Sequence, residues 1–374
     1  MSAPHPIQIE VALAGGPCRI FLQDGLIEHV RALLAPILGR GRLLVVSDER
    51  IWALHGHALL AGLGDLPQLG EVILLPPGEA SKNWRGLSRV VEGAINSGLG
   101  RGDCLLAFGG GVVGDLAGFA ASIVKRGCGL IQVPTTLLAQ VDSAIGGKNG
   151  INVAAGKNLV GTFHQPKAVL IDPDLLATLP PREIRAGYAE IVKYGLIGDP
   201  DFFGWCERRG GCFLAGDPGA RAYAIKTSAE AKAAIVAADE KERNGRRMLL
   251  NLGHSFGHAL EAETGFSEAL LHGEAVAIGT ALAFRLSVER GLCPPGDAVR
   301  VEEHLEARGL PSGLDRLEPR PTVRRLVDRM RGDKKVEAGQ ANLILVRGIG
   351  QAFVDRSVTF DDVGAFLARE LMPA

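Results

Sequence analysis

The sequence predicts an N-terminal α/β domain with a largely parallel sheet, followed by a mainly α-helical domain. Three observations carry this. Five short apolar runs fall between residues 43 and 171, and helix-length stretches separate most of them. From about Pro180 onward the periodicity becomes helical and Ala-rich, with few β-branched clusters. The expected strands are Leu43–Val46, Val72–Leu75, Cys104–Phe108, Leu130–Val133 and Ala168–Ile171, each beside Gly, Pro or Asp. A strand buried on both faces has no polar side to alternate with, so it reads as an unbroken apolar run. Leu87–Asn96 and Val113–Val124 are the expected helices between them. Glu183–Ile197, Arg221–Glu242, His254–Glu263 and Glu274–Glu289 are the expected helices of the second half. Gly/Pro-rich breaks at 209–219, 291–296 and 309–321 separate these. The domains are therefore expected at 1–180 and 181–374.

Composition narrows the function classes. A chain of 374 residues with 47% hydrophobic residues has ample material for two buried cores. Its net charge of −1 gives no electrostatic drive toward nucleic acid or an anionic membrane. No apolar run reaches the ~18 residues of a membrane span. The first residues lack the basic and apolar regions of a signal peptide. The six cysteines form no CxxC pair and read as reduced thiols, so a cytoplasmic location is expected.

Phe108-Gly109-Gly110-Gly111-Val112-Val113-Gly114-Asp115 follows a predicted strand and opens a predicted helix. Positions 109, 111 and 114 satisfy GxGxxG. Such a turn lets backbone approach a pyrophosphate at a helix N-terminus. The acid usually found ~20 residues later is missing, since that stretch reads Ile131-Gln132-Val133-Pro134, and Asp48 is the candidate ribose acid instead. The plainer alternative is a strand–helix turn that simply needs small residues. Two further Gly-rich stretches carry lysines, Gly146-Gly147-Lys148-Asn149-Gly150 and Gly156-Lys157-Asn158-Leu159. Neither lysine precedes Ser or Thr, which excludes a P-loop hydrolase. Lysines on such loops still suit phosphate or carboxylate, and Asp142 lies just upstream.

Glu190 and Lys193 share a helix face at i,i+3, a spacing that by itself means an ordinary ion pair. Downstream, Asn251-Leu252-Gly253-His254-Ser255-Phe256-Gly257-His258 places two imidazoles one helical turn apart, and His272-Gly273-Glu274 adds a third. Three of the chain's nine histidines thus fall within nineteen residues. Imidazole and carboxylate donors with an open position describe a catalytic zinc site. Spacing alone selects His254 and His258 as the ligand pair. There is no HExxH, so a protease base is absent.

The chain resembles the 3-dehydroquinate synthase family. The blocks that carry the resemblance are GGGVVGDLAGF (109–119), VPTTLLAQVDSAIGGK (133–148), GKNLVGTFHQP (156–166), GYAEIVKYGLI (187–197), ADE (238–240), LNLGHSFGHALE (250–261) and LHGEAVA (271–277). The resemblance implies a Rossmann-like NAD-binding domain, a helical metal- and substrate-binding domain, and an active site in the cleft between them. It implies one NAD and one divalent metal, usually Zn²⁺ with Co²⁺ as a substitute, in a homodimer. The implied metal ligands are Glu190, His254 and His272, which moves His258 from the metal to the substrate. The implied NAD contacts are Asp48, Glu79, Lys82, Gly110, Gly111, Val112, Asp115, Thr135, Thr136, Lys148, Lys157 and Thr178. Lys148, Lys193, His258, Asp142 and Asn158 are the implied catalytic group. Arg126, Lys232, Arg247, Asn251 and one of Lys334 and Lys335 are implied to bind substrate. Small departures are Asn149 where the family usually has Thr, Lys125-Arg126 in place of Met-Arg, and an extra residue that leaves Arg246 and Arg247 as alternatives.

The implied substrate is a small sugar phosphate, 3-deoxy-D-arabino-heptulosonate 7-phosphate, converted to 3-dehydroquinate in the shikimate pathway. Phosphate leaves only if a neighbouring carbon loses a proton, which transient oxidation of the adjacent alcohol makes possible. Re-reduction, ring opening and an intramolecular aldol closure then follow, with no net redox. Lys148, Asn158, Lys193 and Arg126 are assigned to the phosphate end, and Lys232 and Arg247 to the carboxylate. The rival readings are another sugar phosphate cyclase, a metal-dependent alcohol dehydrogenase with the same kind of Gly turn, and a non-catalytic binding protein of the same fold.

Overall fold

The computed structural model describes residues 6–315, 317–318, 320–332 and 341–372. The chain forms two compact units, Met1–Pro180 with Pro218–Lys241, and Pro181–Asp217 with Glu242–Ala374. Residues 218–241, counted with the helical half in the sequence reading, thus pack with the first unit.

In the first unit β1 (Ile7–Val11) and β2 (Cys18–Leu22) precede α1 (Val30–Leu38), β3 (Leu43–Asp48), α2 (Glu49–Leu63), β4 (Ile73–Leu75), α3 (Trp84–Asn96), β5 (Cys104–Gly109), α4 (Gly111–Ile123) and β6 (Gly129–Pro134). A hairpin of β7 (Lys148–Val153) and β8 (Gly156–Phe163) follows, then β9 (Ala168–Ile171). The seven-stranded sheet has the order β1-β2-β9-β6-β5-β3-β4, and only β1–β2 is antiparallel. All five expected strands are present. Their continuous apolar character has the expected cause: Cys104, Leu106 and Phe108 of β5 enter one core, while Leu105 and Ala107 enter the core on the opposite face. Leu43 and Val45 alternate with Leu44 and Val46 in the same way. Each such Leu or Val stabilises the fold by ~1.5–3 kcal/mol relative to exposure.

The strand order fixes where a ligand can sit. From β3 the chain moves to β4 on one side, and from β5 it moves to β6 on the other. The carboxyl ends of β3 and β5 therefore flank a topological switch point, the usual binding crevice of an open α/β sheet. Of the segment that returns to this unit, α7 (Pro218–Ala238), Ala220, Ala224, Ile225, Ser228, Ala229, Lys232, Ala233 and Val236 are buried, a stripe of helical period against β1 and the 139–143 turn.

The second unit contains α5 (Pro181–Gly198), α6 (Pro200–Leu214), α8 (His254–Glu263), α9 (His272–Glu289), α10 (Pro295–Ala307), α11 (Val323–Arg331), a hairpin of β10 (Leu343–Val346) and β11 (Ala352–Asp355), and α12 (Phe360–Glu370). The break expected at 209–219 narrows to residues 215–217, because α6 continues through Gly210-Gly211 to Leu214 and α7 begins at Pro218. These glycines serve close packing and not termination: a Cβ on Gly210 would lie 2.0 Å from the Tyr188 hydroxyl. Among the described residues no helix is long and apolar enough to cross a membrane.

That Tyr188 hydroxyl donates to the Cys206 carbonyl (3.3 Å) and lies 3.2 Å from His304 Nε2. Burial, assisted by the Arg308 charge, pushes the His304 imidazole down to about 4. His304 is therefore neutral in the fold and binds fewer protons than in the unfolded chain between about pH 6.5 and 4. Its contribution is present above pH 6.5 and is lost as pH falls toward 4, up to ~3 kcal/mol in all. In urea titrations His304→Gln should show a shallower loss of stability from pH 7 to pH 4.5 than the native chain. Parallel pH profiles would contradict this.

Candidate active site

The first group of residues gathers at the switch point. Asp48 ends β3, and its Oδ1 accepts the Ile51 N–H at 2.9 Å, so it caps α2. Burial raises this carboxyl above the usual carboxylate range. One strand over, Gly109-Gly110-Gly111 joins β5 to α4. What these glycines provide is room, since none has positive φ: a Cβ on Gly110 would sit 2.9 Å from Thr136 Cγ2. Thr135, almost wholly buried, donates its N–H to the Gly109 carbonyl (3.1 Å). Thr178 lies 2.7 Å from His55 Nε2. Val112 packs on the core below.

The two lysine stretches are not the loops expected from the sequence but parts of the paired strands of the β7–β8 hairpin. Lys148 opens β7 and is exposed. Lys157 and Asn158 lie in β8, Asn158 with φ 54°. The hairpin reaches the rest of the unit through a polar network. Lys82 Nζ is 2.5 Å from Asp115 Oδ2 and donates to Asn158 Oδ1 at 2.6 Å. Burial raises the Asp115 carboxyl, and Lys82 opposes it. Asn152 donates to Glu79 Oε1 (2.7 Å), accepts the Asn158 N–H (3.1 Å), and gives its own N–H to the Lys82 carbonyl (2.8 Å). Lys157 Nζ stands 4.0 Å from Glu79. Asp142 lies in a single wide π-helical turn, 139–143, and pairs with Lys232 of α7 (Oδ1, 2.7 Å). Such turns are frequent at functional sites. Arg126 is exposed, in a left-handed segment with Lys125 (φ 66° and 53°), a conformation that costs free energy in non-glycine residues.

The second group lies in the helical unit. Glu190 and Lys193 are on α5, both essentially inaccessible and in direct ion-pair contact. His254 opens α8 and His272 opens α9. Their Nε2 atoms lie 3.6 and 3.7 Å from Glu190 Oε1. These separations exceed a hydrogen bond. They match two donors on one tetrahedral ion, which at bond lengths of ~2.0–2.1 Å stand about 3.4 Å apart. Each Nδ1 is already engaged: His254 with the Leu252 carbonyl (3.1 Å), His272 with Glu261 Oε2 (3.0 Å). Both rings are thus turned with Nε2 inward. Burial, then the Lys193 charge, pushes His254 down to about 3, leaving it neutral and able to donate a lone pair. Burial alone would lower His272 too, but the Glu261 and Glu190 carboxylates outweigh it and lift that imidazole to about 10.

The ligand atoms of Glu190, His254 and His272 therefore lie close enough together to hold one metal ion, as do those of His258, Glu261 and His272. The His254–His258 pair selected by spacing shares neither. His258 is exposed, its ring edge-on to His254 at 5.3 Å. Arg247 is buried at 2% exposure and Arg246 is exposed, so Arg247 is the better candidate of the two. Asn251 donates to Glu242 Oε1 (3.3 Å). Lys334 and Lys335 lie outside the described residues. Two positions escaped the sequence reading. Glu261 carried a signal, since His254, His258 and Glu261 repeat on one helical face. Asn152 carried none, because hairpin contacts do not follow from local spacing.

Residues 72–186 match the family described as 3-dehydroquinate synthase N-terminal, and residues 187–336 match 3-dehydroquinate synthase C-terminal. A 3-dehydroquinate synthase from Rhodospirillum rubrum is 51% identical over 367 residues, covering 98% of this chain and 95% of the relative. Among solved structures, a 2-epi-5-epi-valiolone synthase from Streptomyces hygroscopicus subsp. jinggangensis, with NAD⁺ and Zn²⁺ bound, has a TM-score of 0.86 and 32% identity over 96% of this chain and 98% of its own. A 2-deoxy-scyllo-inosose synthase complexed with carbaglucose-6-phosphate, NAD⁺ and Co²⁺ has a TM-score of 0.87 and 25% identity over 98% and 100%. With both family segments matched in order and half of all residues identical along nearly the whole length, this chain belongs to the 3-dehydroquinate synthase family.

Proposed function

We propose that this chain converts 3-deoxy-D-arabino-heptulosonate 7-phosphate to 3-dehydroquinate and phosphate, as a carbon–oxygen lyase dependent on NAD and a divalent metal, Zn²⁺ or Co²⁺. The observation that carries the mechanism is the buried Glu190 carboxylate faced by two imidazole Nε2 atoms whose Nδ1 atoms are already bonded. One carboxylate, two imidazoles and an open position make a catalytic donor set. When bound, NAD⁺ supplies a reversible hydride acceptor and the metal a Lewis acid, which together permit elimination without net redox.

The chain's residues then divide by what they can hold. Glu190, His254 and His272 hold the metal. The Asp48 carboxylate and the room around Gly109–Gly111 suit a dinucleotide at the switch point. Lys82, Asp115, Glu79 and Asn152 hold the β7–β8 hairpin, and with it Lys157, Asn158 and Lys148. A small substrate with a phosphate and a carboxylate at opposite ends calls for cations held in advance of reaction, which fixes its geometry. Lys148, Asn158, Arg126 and Lys193 are assigned to the phosphate, Lys232 and Arg247 to the carboxylate. Asp142 holds the Lys232 ammonium in place, and His258 and Asn251 complete the substrate contacts. Half-identity to 3-dehydroquinate synthases, against a third or less to the valiolone and inosose synthases, favours the heptulosonate over another cyclase substrate. The reading includes a cytoplasmic homodimer, in keeping with six free cysteines.

The test supplies the heptulosonate phosphate, catalytic NAD⁺ and Zn²⁺, and follows phosphate release beside NADH absorbance. Many phosphates per NAD without NADH accumulation are expected. Stoichiometric NADH would mean a dehydrogenase, and no phosphate release would overturn the proposal.

A further inference from the structure

Glu261 is a buried acid that the proposed chemistry leaves without a task. It lies on α8 with its side chain 3% exposed, and its Oε2 accepts from His272 Nδ1 at 3.0 Å across the α8–α9 contact. Burying a carboxylate is costly unless it is paired, so its burial there against His272 calls for a function. The other imidazole is served differently: His254 Nδ1 meets the neutral Leu252 carbonyl. One ring is thus oriented by backbone and the other by a charge. A carboxylate on Nδ1 fixes the tautomer, holds the ring plane and makes Nε2 a stronger donor. His272 also needs this more, because at 28% exposure it is less enclosed than His254 at 11%.

We propose that Glu261 is the positioning residue of the metal site, setting His272 Nε2 toward Glu190 and raising its affinity for the ion. This rests on the metal reading of Glu190, His254 and His272, and it adds a residue that neither touches the metal nor the substrate. The competing possibility is that Glu261 itself binds an ion, since His258, Glu261 and His272 also come close enough to share one.

The experiment strips the full-length chain with chelator and titrates it with Co²⁺, following visible absorption and bound metal per chain. Glu261→Gln retains shape and an acceptor oxygen but loses the charge, and Glu261→Ala loses both. The native chain should bind one equivalent. Glu261→Gln should weaken binding about tenfold and Glu261→Ala up to about a hundredfold, with an altered cobalt spectrum. A merely structural role would lower the denaturation midpoint and leave the spectrum and dissociation constant of the folded protein unchanged. Unchanged affinity and spectrum in folded Glu261→Gln would overturn the proposal. So would two equivalents in the native chain with only the second lost in the variant. Absence of Co²⁺ binding by the native chain would instead sink the underlying metal reading, so the two failures are distinguishable. Should Glu261→Ala fail to fold, the isosteric Gln variant decides.

Discussion

Glu190→Gln is expected to lose bound metal and turnover together. The substitution keeps shape and removes the only carboxylate of the proposed Glu190–His254–His272 donor set. Lewis-acid stabilisation is worth several kcal/mol, and each 1.36 kcal/mol is tenfold in rate, so activity should fall by at least about a thousandfold. A second effect follows from Lys193, whose ammonium is as buried as the carboxylate it touches. Facing a neutral amide, it is an uncompensated buried charge, and breaking such a pair costs ~3–5 kcal/mol. Loss of activity could then reflect unfolding alone, and a second variant separates the two. Glu190→Gln with Lys193→Met removes the orphaned charge and should recover much of the denaturation midpoint without recovering metal. Metal per chain after dialysis, measured beside phosphate release, is the readout. A folded Glu190→Gln that retains a full equivalent of metal and native turnover would refute the ligand assignment.

Legibility from sequence followed burial. The central strands β3, β5, β6 and β9 are covered on both faces, so their side chains all obey one constraint and the runs are continuous. The β1–β2 pair at the sheet edge has a mixed burial pattern, and its strands escaped notice. The β7–β8 hairpin read as two loops because β8 is partly exposed along its whole length and carries a lysine and an asparagine. Gly210-Gly211 read as a stop because local propensity cannot see the Tyr188 hydroxyl that requires a small residue there. For α7, periodicity identified a helix but could not say which unit its buried stripe meets.

The proposed metal site divided in the same way. Three histidines within nineteen residues indicated metal chemistry, yet spacing paired His254 with His258. The structure instead brings His254 and His272 to Glu190, which lies sixty-four residues before His254 on another helix. Helical spacing ranks neighbours on one helix, and this cluster is made by three. Only the resemblance to whole blocks of a known family connected them.

What lets three helices converge so closely is the absence of side chains at their crossings, and this yields the second large expected effect. Gly273 is the second residue of α9, directly after His272. A Cβ there would lie 1.8 Å from the Ala186 carbonyl oxygen of α5 and 2.4 Å from its carbon. Both are backbone atoms, so no rotamer change relieves the clash. Gly273→Ala must therefore push α9 from α5 by at least about 1.2 Å, the difference between 1.8 Å and the 3.0 Å limit of real contacts. Glu190 is one helical turn beyond Ala186, so the movement falls directly on the His272–Glu190 separation. Overpacking of this kind costs ~3 kcal/mol, and a misplacement of ~1 Å costs about a hundredfold in rate. Gly273→Ala should thus lower the denaturation midpoint, weaken Co²⁺ binding and depress phosphate release in the fraction that folds. Gly296→Ala in α10 is the matched control, because a Cβ there meets nothing within 4 Å and alanine is the better helix former. It should be neutral or stabilising by up to ~1 kcal/mol, with metal affinity unchanged. If both variants behaved alike, the closeness of α5 and α9 would not be what holds His272 against Glu190.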